Sequence, residues 1–140
     1  MDFKKEFQRI MENAVELSLA TSDNNIPNVR ILTFYYDEGK NGVAYIATYN
    51  QSPKTAEFSK NNKVAFTTTP VGSDAVRVTN AVIQKSKLTV HDLKDKFISK
   101  FPGFQATYDF AGPMMDIYEI QFNEAYVILG FNNTEKISLH

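Results

Sequence analysis

Apolar residues change their spacing near residue 14. Before it, Phe3, Phe7, Ile10, Met11 and Ala14 recur at three- and four-residue intervals, which predicts an amphipathic helix over residues 3–13. After it come short runs rich in Val, Ile, Tyr, Phe and Thr: 17–20, 28–36, 43–49, 64–69, 75–84, 116–122 and 126–131. Turn chemistry separates several of them, at Ser22-Asp23-Asn24-Asn25, at Asp37 to Gly42 and at Pro70-Val71-Gly72-Ser73. Two helices interrupt the strands. Ser52 is placed as an N-cap with Pro53 at the first helical position, and the helix runs to Lys60. Thr89 caps the next, with Asp92 in capping-box spacing and Val90, Leu93, Phe97 and Ile98 on its apolar face. Residues 102–113 are aromatic and irregular, and read as a short helix and a loop. No repeat, low-complexity tract or linker divides the chain, so a single domain over 1–140 is expected. The order fits one closed antiparallel sheet, mainly β, with peripheral helices; an open sandwich is the alternative that the strand pattern permits.

Composition narrows the function classes. Hydrophobic residues make up 43% of the 140 and aromatics 13%, enough for a real core. No apolar run reaches the roughly 18 residues needed to span a membrane. The charged opening Met1-Asp2-Phe3-Lys4-Lys5-Glu6 does not read as a signal peptide, and there is no cysteine. These features favour a cytoplasmic protein and exclude thiol catalysis. Fifteen basic against sixteen acidic residues create no global field for nucleic acid, but leave room for a local phosphate pocket. The two histidines make no metal cluster: His91 falls in the first turn of a helix, in a surface or capping role, and His140 is terminal and expected to be mobile. Asp37 and Glu38 are turn residues. Arg77 on its strand is expected to form an ion pair. No serine-nucleophile motif and no acid–base dyad is visible, so no catalytic residue is named.

Two features could carry chemistry. In the strand 28–36, period two places Arg30 with Leu32, Phe34 and Tyr36, while Val29, Ile31, Thr33 and Tyr35 face the other way. Both faces are largely apolar, so the strand is expected to be buried on both sides, and Arg30 then needs an anion. A salt bridge to one of the sixteen acids, or a place at the sheet rim, satisfies it without any ligand. The second feature is Thr48-Tyr49-Asn50-Gln51-Ser52-Pro53-Lys54, where a strand ends and a helix begins. Lys54 in the first turn opposes the helix dipole, which makes sense if a phosphate binds there. An ordinary capped helix with a solvated lysine is the plainer account, and the glycines of a P-loop are missing. Taken together, two cations and a helix N-terminus make a plausible site for one phosphate monoester.

The order of these pieces resembles the pyridoxamine 5′-phosphate oxidase-like FMN-binding split barrels. An N-terminal helix precedes Leu19-Ala20-Thr21-Ser22; Pro-x-x-Arg follows at 27–30 with Ile31-Leu32-Thr33; Thr-x-x-x-Ser-x-Lys stands at 48–54; then come Asn62 to Phe66 and Val76-Arg77-Val78. The resemblance covers roughly the first 85 residues. It implies that Arg30, Ser52 and Lys54 bind the FMN phosphate. It implies further that Ile31, Leu32 and Thr33 lie along the isoalloxazine with main-chain hydrogen bonds, and that Thr48 sits by the ring or ribityl chain. It also implies a homodimer with two cofactor sites at the interface. Many relatives carry glycine where this chain has Thr79-Asn80. Oxidases of pyridoxamine phosphate end in an Arg-x-His segment, which Asn132 to His140 lacks. The implied cofactor therefore carries over and the vitamin-B6 substrate does not. The leading expectation is an FMN-dependent oxidoreductase acting on a small organic substrate or a reduced nicotinamide. Its rivals are a non-catalytic flavin carrier or stress-response protein, a barrel binding haem or a deazaflavin, and a structural dimer module with an empty pocket. The aromatic and methionine-rich stretch of Phe101, Phe104, Tyr108, Phe110, Met114 and Met115 reads as core or dimer interface, with a lid over the flavin as the sharper alternative.

Overall fold

Local chemistry sets the ends of most elements in the computed structural model, which describes residues 1–140. Asp2 caps helix α1 (Phe3–Asn13), its Oδ1 accepting from the Lys4 and Lys5 N–H groups at 3.1 Å. Strands β1 (Glu16–Asp23) and β2 (Ile26–Tyr36) are joined through Asn24 and Asn25 alone, with φ of 51° and 66°. A two-residue hairpin loop of type I′ requires positive φ at both positions, and asparagine tolerates it. Then follow β3 (Val43–Tyr49), α2 (Pro53–Lys60), β4 (Lys63–Thr68) and β5 (Asp74–Lys85). The second half comprises α3 (Val90–Lys100), α4 (Phe104–Ala111), β6 (Met115–Phe122), β7 (Glu124–Leu129) and β8 (Asn133–Ser138). At α3 the capping box is complete, as the sequence predicts: Thr89 Oγ1 accepts from Asp92 N–H, and Asp92 accepts from Thr89 N–H at 2.8 Å.

All strand pairs are antiparallel. The order β4-β1-β2-β3-β6-β5 returns to β4 through the β4–β5 ladder, which closes a six-stranded barrel and excludes the open sandwich. β6 pairs with the second half of β5 and β7 with its first half. The two therefore run as one strand broken at Asn123, and β8 extends the sheet beside β7. A bulge forms at Thr79 and Asn80 without glycine. Val64 pairs with Ala81 and Phe66 with Val78, so β5 has one residue more than β4 across this step. Neither residue needs positive φ.

α1 lays Phe7, Ile10 and Met11 onto the barrel core, where Phe7 meets Tyr36 edge-on at 5.4 Å and Phe66 meets Phe122 at 5.4 Å. A second apolar cluster joins Tyr45, Met115 and Ile117 of the sheet to Val90, Leu93, Phe97 and Phe104 of α3 and α4. Each such side chain contributes about 1.5–3 kcal/mol by burial.

Four expectations are corrected. β2 is not buried on both faces: its last three residues are, in part, but Ile26, Val29 and Ile31 are 69%, 63% and 60% exposed. The C-terminal segment forms β8, and His140 is tied down by Asn123 Oδ1 at 2.7 Å from its Nε2. Arg77 has no carboxylate partner and lies over the Tyr126 ring, 5.2 Å from its centroid. The aromatic segment is divided. Phe104 and Met115 are core, while Phe101, Phe110 and Met114 are exposed.

Candidate anion site

β1 and β2 carry Arg30 up to the first turns of α2. Leu19 is its partner across the ladder, and its Nη1 donates back to the Leu19 carbonyl at 3.2 Å and to Thr21 Oγ1 at 2.9 Å. Nη2 donates to Glu57 Oε2 at 2.8 Å, and both side chains of this ion pair are less than one-fifth exposed. The anion that an apolar strand demands of its arginine is thus supplied by α2. Asn28 and Thr21 also reach the Glu57 carboxylate, with longer contacts of 3.4–3.5 Å.

Lys54 enters the same neighbourhood from the first turn of α2. Burial lowers its pKa, and the charge of Arg30 lowers it further. The structure therefore brings the two cations of the sequence analysis together, but only Arg30 has a carboxylate partner; Lys54 takes part in none of the chain's ion pairs. Ser52 occupies the N-cap position as predicted, but its hydroxyl makes no capping hydrogen bond. It stands 3.5 Å from the buried Thr48 hydroxyl at the end of β3. Two hydroxyls and an unpaired ammonium thus adjoin the positive end of a helix.

Ile31, Leu32 and Thr33 continue from Arg30 along β2, and they are not equivalent. The Phe34 N–H bonds to the Val15 carbonyl, on the β1 side. By strand alternation Leu32 also turns its main chain to β1, while Ile31 and Thr33 turn theirs to the β3 side. The ladder to β3 covers only Phe34, Tyr35 and Tyr36. From Leu32 back to Ile26 that edge has no strand partner, so Ile31 presents a free N–H and C=O. Leu32 instead packs its side chain against the barrel core.

Sequence reasoning missed Glu57, Thr21 and Asn28. One signal pointed at Glu57: it lies three residues beyond Lys54, on the same face of a short helix. The histidines stay apart from this site. His91 Nδ1 meets the Tyr108 hydroxyl at 2.9 Å on the α3–α4 surface. A separate cleft of about 520 Å³ lies between α1, the β2–β3 turn and α3, with Glu12, Tyr35, Asp37, Glu38, Lys96 and Lys100 among its walls. No helix is long and apolar enough to cross a membrane.

Solved structures share this architecture. General stress protein 26 from Bacillus anthracis superposes with a TM-score of 0.76 at 20% identity, covering 99% of this chain and 100% of that one. A heme binding protein from Mycobacterium smegmatis gives 0.77 at 9% identity, covering 99% of this chain and 58% of the other. A FAD-binding protein from Mesorhizobium loti gives 0.65 at 12%, covering 96% and 94%. At these identities the likeness speaks for the fold, a split barrel. No curated protein matches the sequence. A family model described as pyridoxamine 5′-phosphate oxidase-like matches residues 10–134, which is most of the chain and includes every residue of the anion site. The chain belongs to the pyridoxamine 5′-phosphate oxidase-like family.

Proposed function

We propose that this protein binds FMN at the Arg30–Lys54 site and works as an FMN-dependent oxidoreductase on a small organic substrate or a reduced nicotinamide. The observation that carries the reading is the convergence of two cations from separate segments beside an unpaired strand edge. Lys54, the Ser52 hydroxyl and the remaining N–H groups of Arg30 would hold the phosphate. Thr48 would adjoin the ribityl chain or the ring. Ile31 and Thr33 would give main-chain hydrogen bonds to the polar edge of the isoalloxazine, with Leu32 holding the strand between them. The residues fit the group in this respect: the Ser52 hydroxyl makes no capping bond, Lys54 has no ion pair, and the strand edge at Ile31 is open. Bound flavin supplies the transfer of a hydride or electron pair. The chain's residues bind and orient it, and none is assigned an acid or base role.

A homodimer belongs to the same reading. Val29 and Ile31 are exposed apolar side chains on one face of the free half of β2, where a second copy would cover them and complete the pocket. Among the neighbours one is a heme binding protein and one a FAD-binding protein, so haem and FAD are the ligands that compete with FMN in this reading.

The test is an absorption spectrum of the purified protein before and after adding FMN, with Arg30→Ala/Lys54→Ala beside it and the molar mass measured by light scattering. Flavin bands in a dimer that vanish in the double variant support the reading, and a reduced-nicotinamide assay then separates turnover from mere binding. A haem spectrum, or no FMN uptake by the wild type, overturns it.

A further inference from the structure

Arg30 is the cation best placed for a phosphate, yet most of its hydrogen-bonding capacity is already in use. A guanidinium has five N–H donors. Here Nη1 serves Leu19 and Thr21, and Nη2 serves Glu57. That leaves the Nε–H and one Nη2–H for a ligand. Glu57 is not a surface acid that happens to lie near. Its side chain is 19% exposed, and its carboxylate also faces the buried Thr21 hydroxyl and the Asn28 amide. Arg30 and Glu57 cancel in charge, so the site offers one net positive charge, that of Lys54. A phosphate monoester carries about −1.5 to −2 near neutral pH. It would meet a carboxylate already bound to its best partner, and like charges brought together oppose binding.

We propose that Glu57 is a specificity-determining residue of the anion site, an internal carboxylate that competes with the ligand's phosphate for Arg30. Binding of a phosphate monoester is then an exchange: one Arg30–carboxylate contact is loosened as Arg30–phosphate contacts form. The consequence is a site that holds phosphorylated ligands weakly relative to its two cations and discriminates little between a ligand with the phosphate and the same ligand without it. This inference rests on the reading of Arg30 and Lys54 as the FMN phosphate anchor.

The experiment measures FMN and riboflavin dissociation constants for the full-length wild type, Glu57→Gln and Glu57→Ala, with thermal melts to show that each variant is folded. Riboflavin has the ring and ribityl chain but no phosphate. Glu57→Gln keeps the size and can still accept from Arg30, but carries no charge. We expect it to tighten FMN by about tenfold, on the scale of one charge-assisted contact, and to leave riboflavin unchanged. Glu57→Ala should move in the same direction. Unchanged or weaker FMN binding in a folded Glu57→Gln overturns the proposal, because Glu57 would then be a support that orients Arg30. A different failure is distinguishable: if wild type and both variants bind FMN no better than riboflavin, the phosphate reading of the whole site falls.

Discussion

Lys54 and Lys100 are two partly buried lysines on short helices, and burial lowers the pKa of both, that of Lys100 to about 8. Their surroundings differ. Lys100 lies in the last turn of α3 and donates to the Met11 carbonyl at 3.0 Å, with its ammonium 3.6 Å from the centre of the Phe34 ring. α1 has no basic residue in its own last turn, so α3 supplies the cation for that helix end. Lys54 lies in the first turn of α2, where the dipole opposes it, beside Arg30 and without an ion pair. Desolvation alone therefore does not mark a functional lysine. Lys100 has partners, and the fold accounts for it. Lys54 takes part in no ion pair, and the proposed anion is the partner that would offset its cost.

The largest test of this contrast is Phe34→Ala. It removes a fully buried ring that lies beneath Lys100, and should lower stability by about 3–5 kcal/mol in a denaturant titration. A loss below about 1 kcal/mol would mean that the Lys100 region is not structural. Next comes Lys54→Ala, which should weaken FMN about ten- to hundredfold, as expected for one charged hydrogen bond. Its melting temperature should stay level or rise, since a desolvated charge leaves the positive end of a helix. If stability falls instead with binding intact, Lys54 belongs in the same class as Lys100. The caps give a smaller and sharper comparison. Thr89→Ala should cost about 1 kcal/mol, while Ser52→Ala should cost only a few tenths, because Ser52 makes no capping bond to lose. Equal losses at the two caps would argue that the Ser52 hydroxyl serves the helix.

The remaining test is in pH. Lys100 holds its proton less tightly folded, near pH 8, than unfolded, near 10.5. Between these values the unfolded chain binds more protons, so this group makes stability rise with pH, and the gain is lost as pH falls through 8. Wild type measured against Lys100→Met should show that rise. A flat difference across the window would place the Lys100 ammonium in solvent.

Much of the fold was legible from the chain, for reasons that differ by element. α1 announces itself because Phe7, Ile10 and Met11 share one face, and the α3 cap because Thr89 and Asp92 stand three positions apart, at capping-box spacing. β8 was not legible: in Asn133–Ser138 only Ile137 is buried, and the strand exists because β7 offers it an edge. The apolar alternation in β2 is real, but apolar residues on both faces do not require burial within the chain, and Val29 and Ile31 face outward. At the site, the need of Arg30 for an anion could be stated in advance. Which acid met it could not, since Glu57 lies 27 residues away and reaches Arg30 only through the placement of α2.

The two-residue loop at Asn24 and Asn25 bears also on the order of folding. It joins β1 to β2, the most local pairing in the sheet, whereas β3 must find β6 across the chain, with Val43 opposite Gln121. Local hairpins form in microseconds, while a barrel seam between distant segments must first meet the entropy of closing a long loop. Arg30 and Ile31 therefore ride on the most local pairing of the sheet, while the barrel wall beside them depends on a long-range one. Substitution of either asparagine would be felt first in the refolding rate.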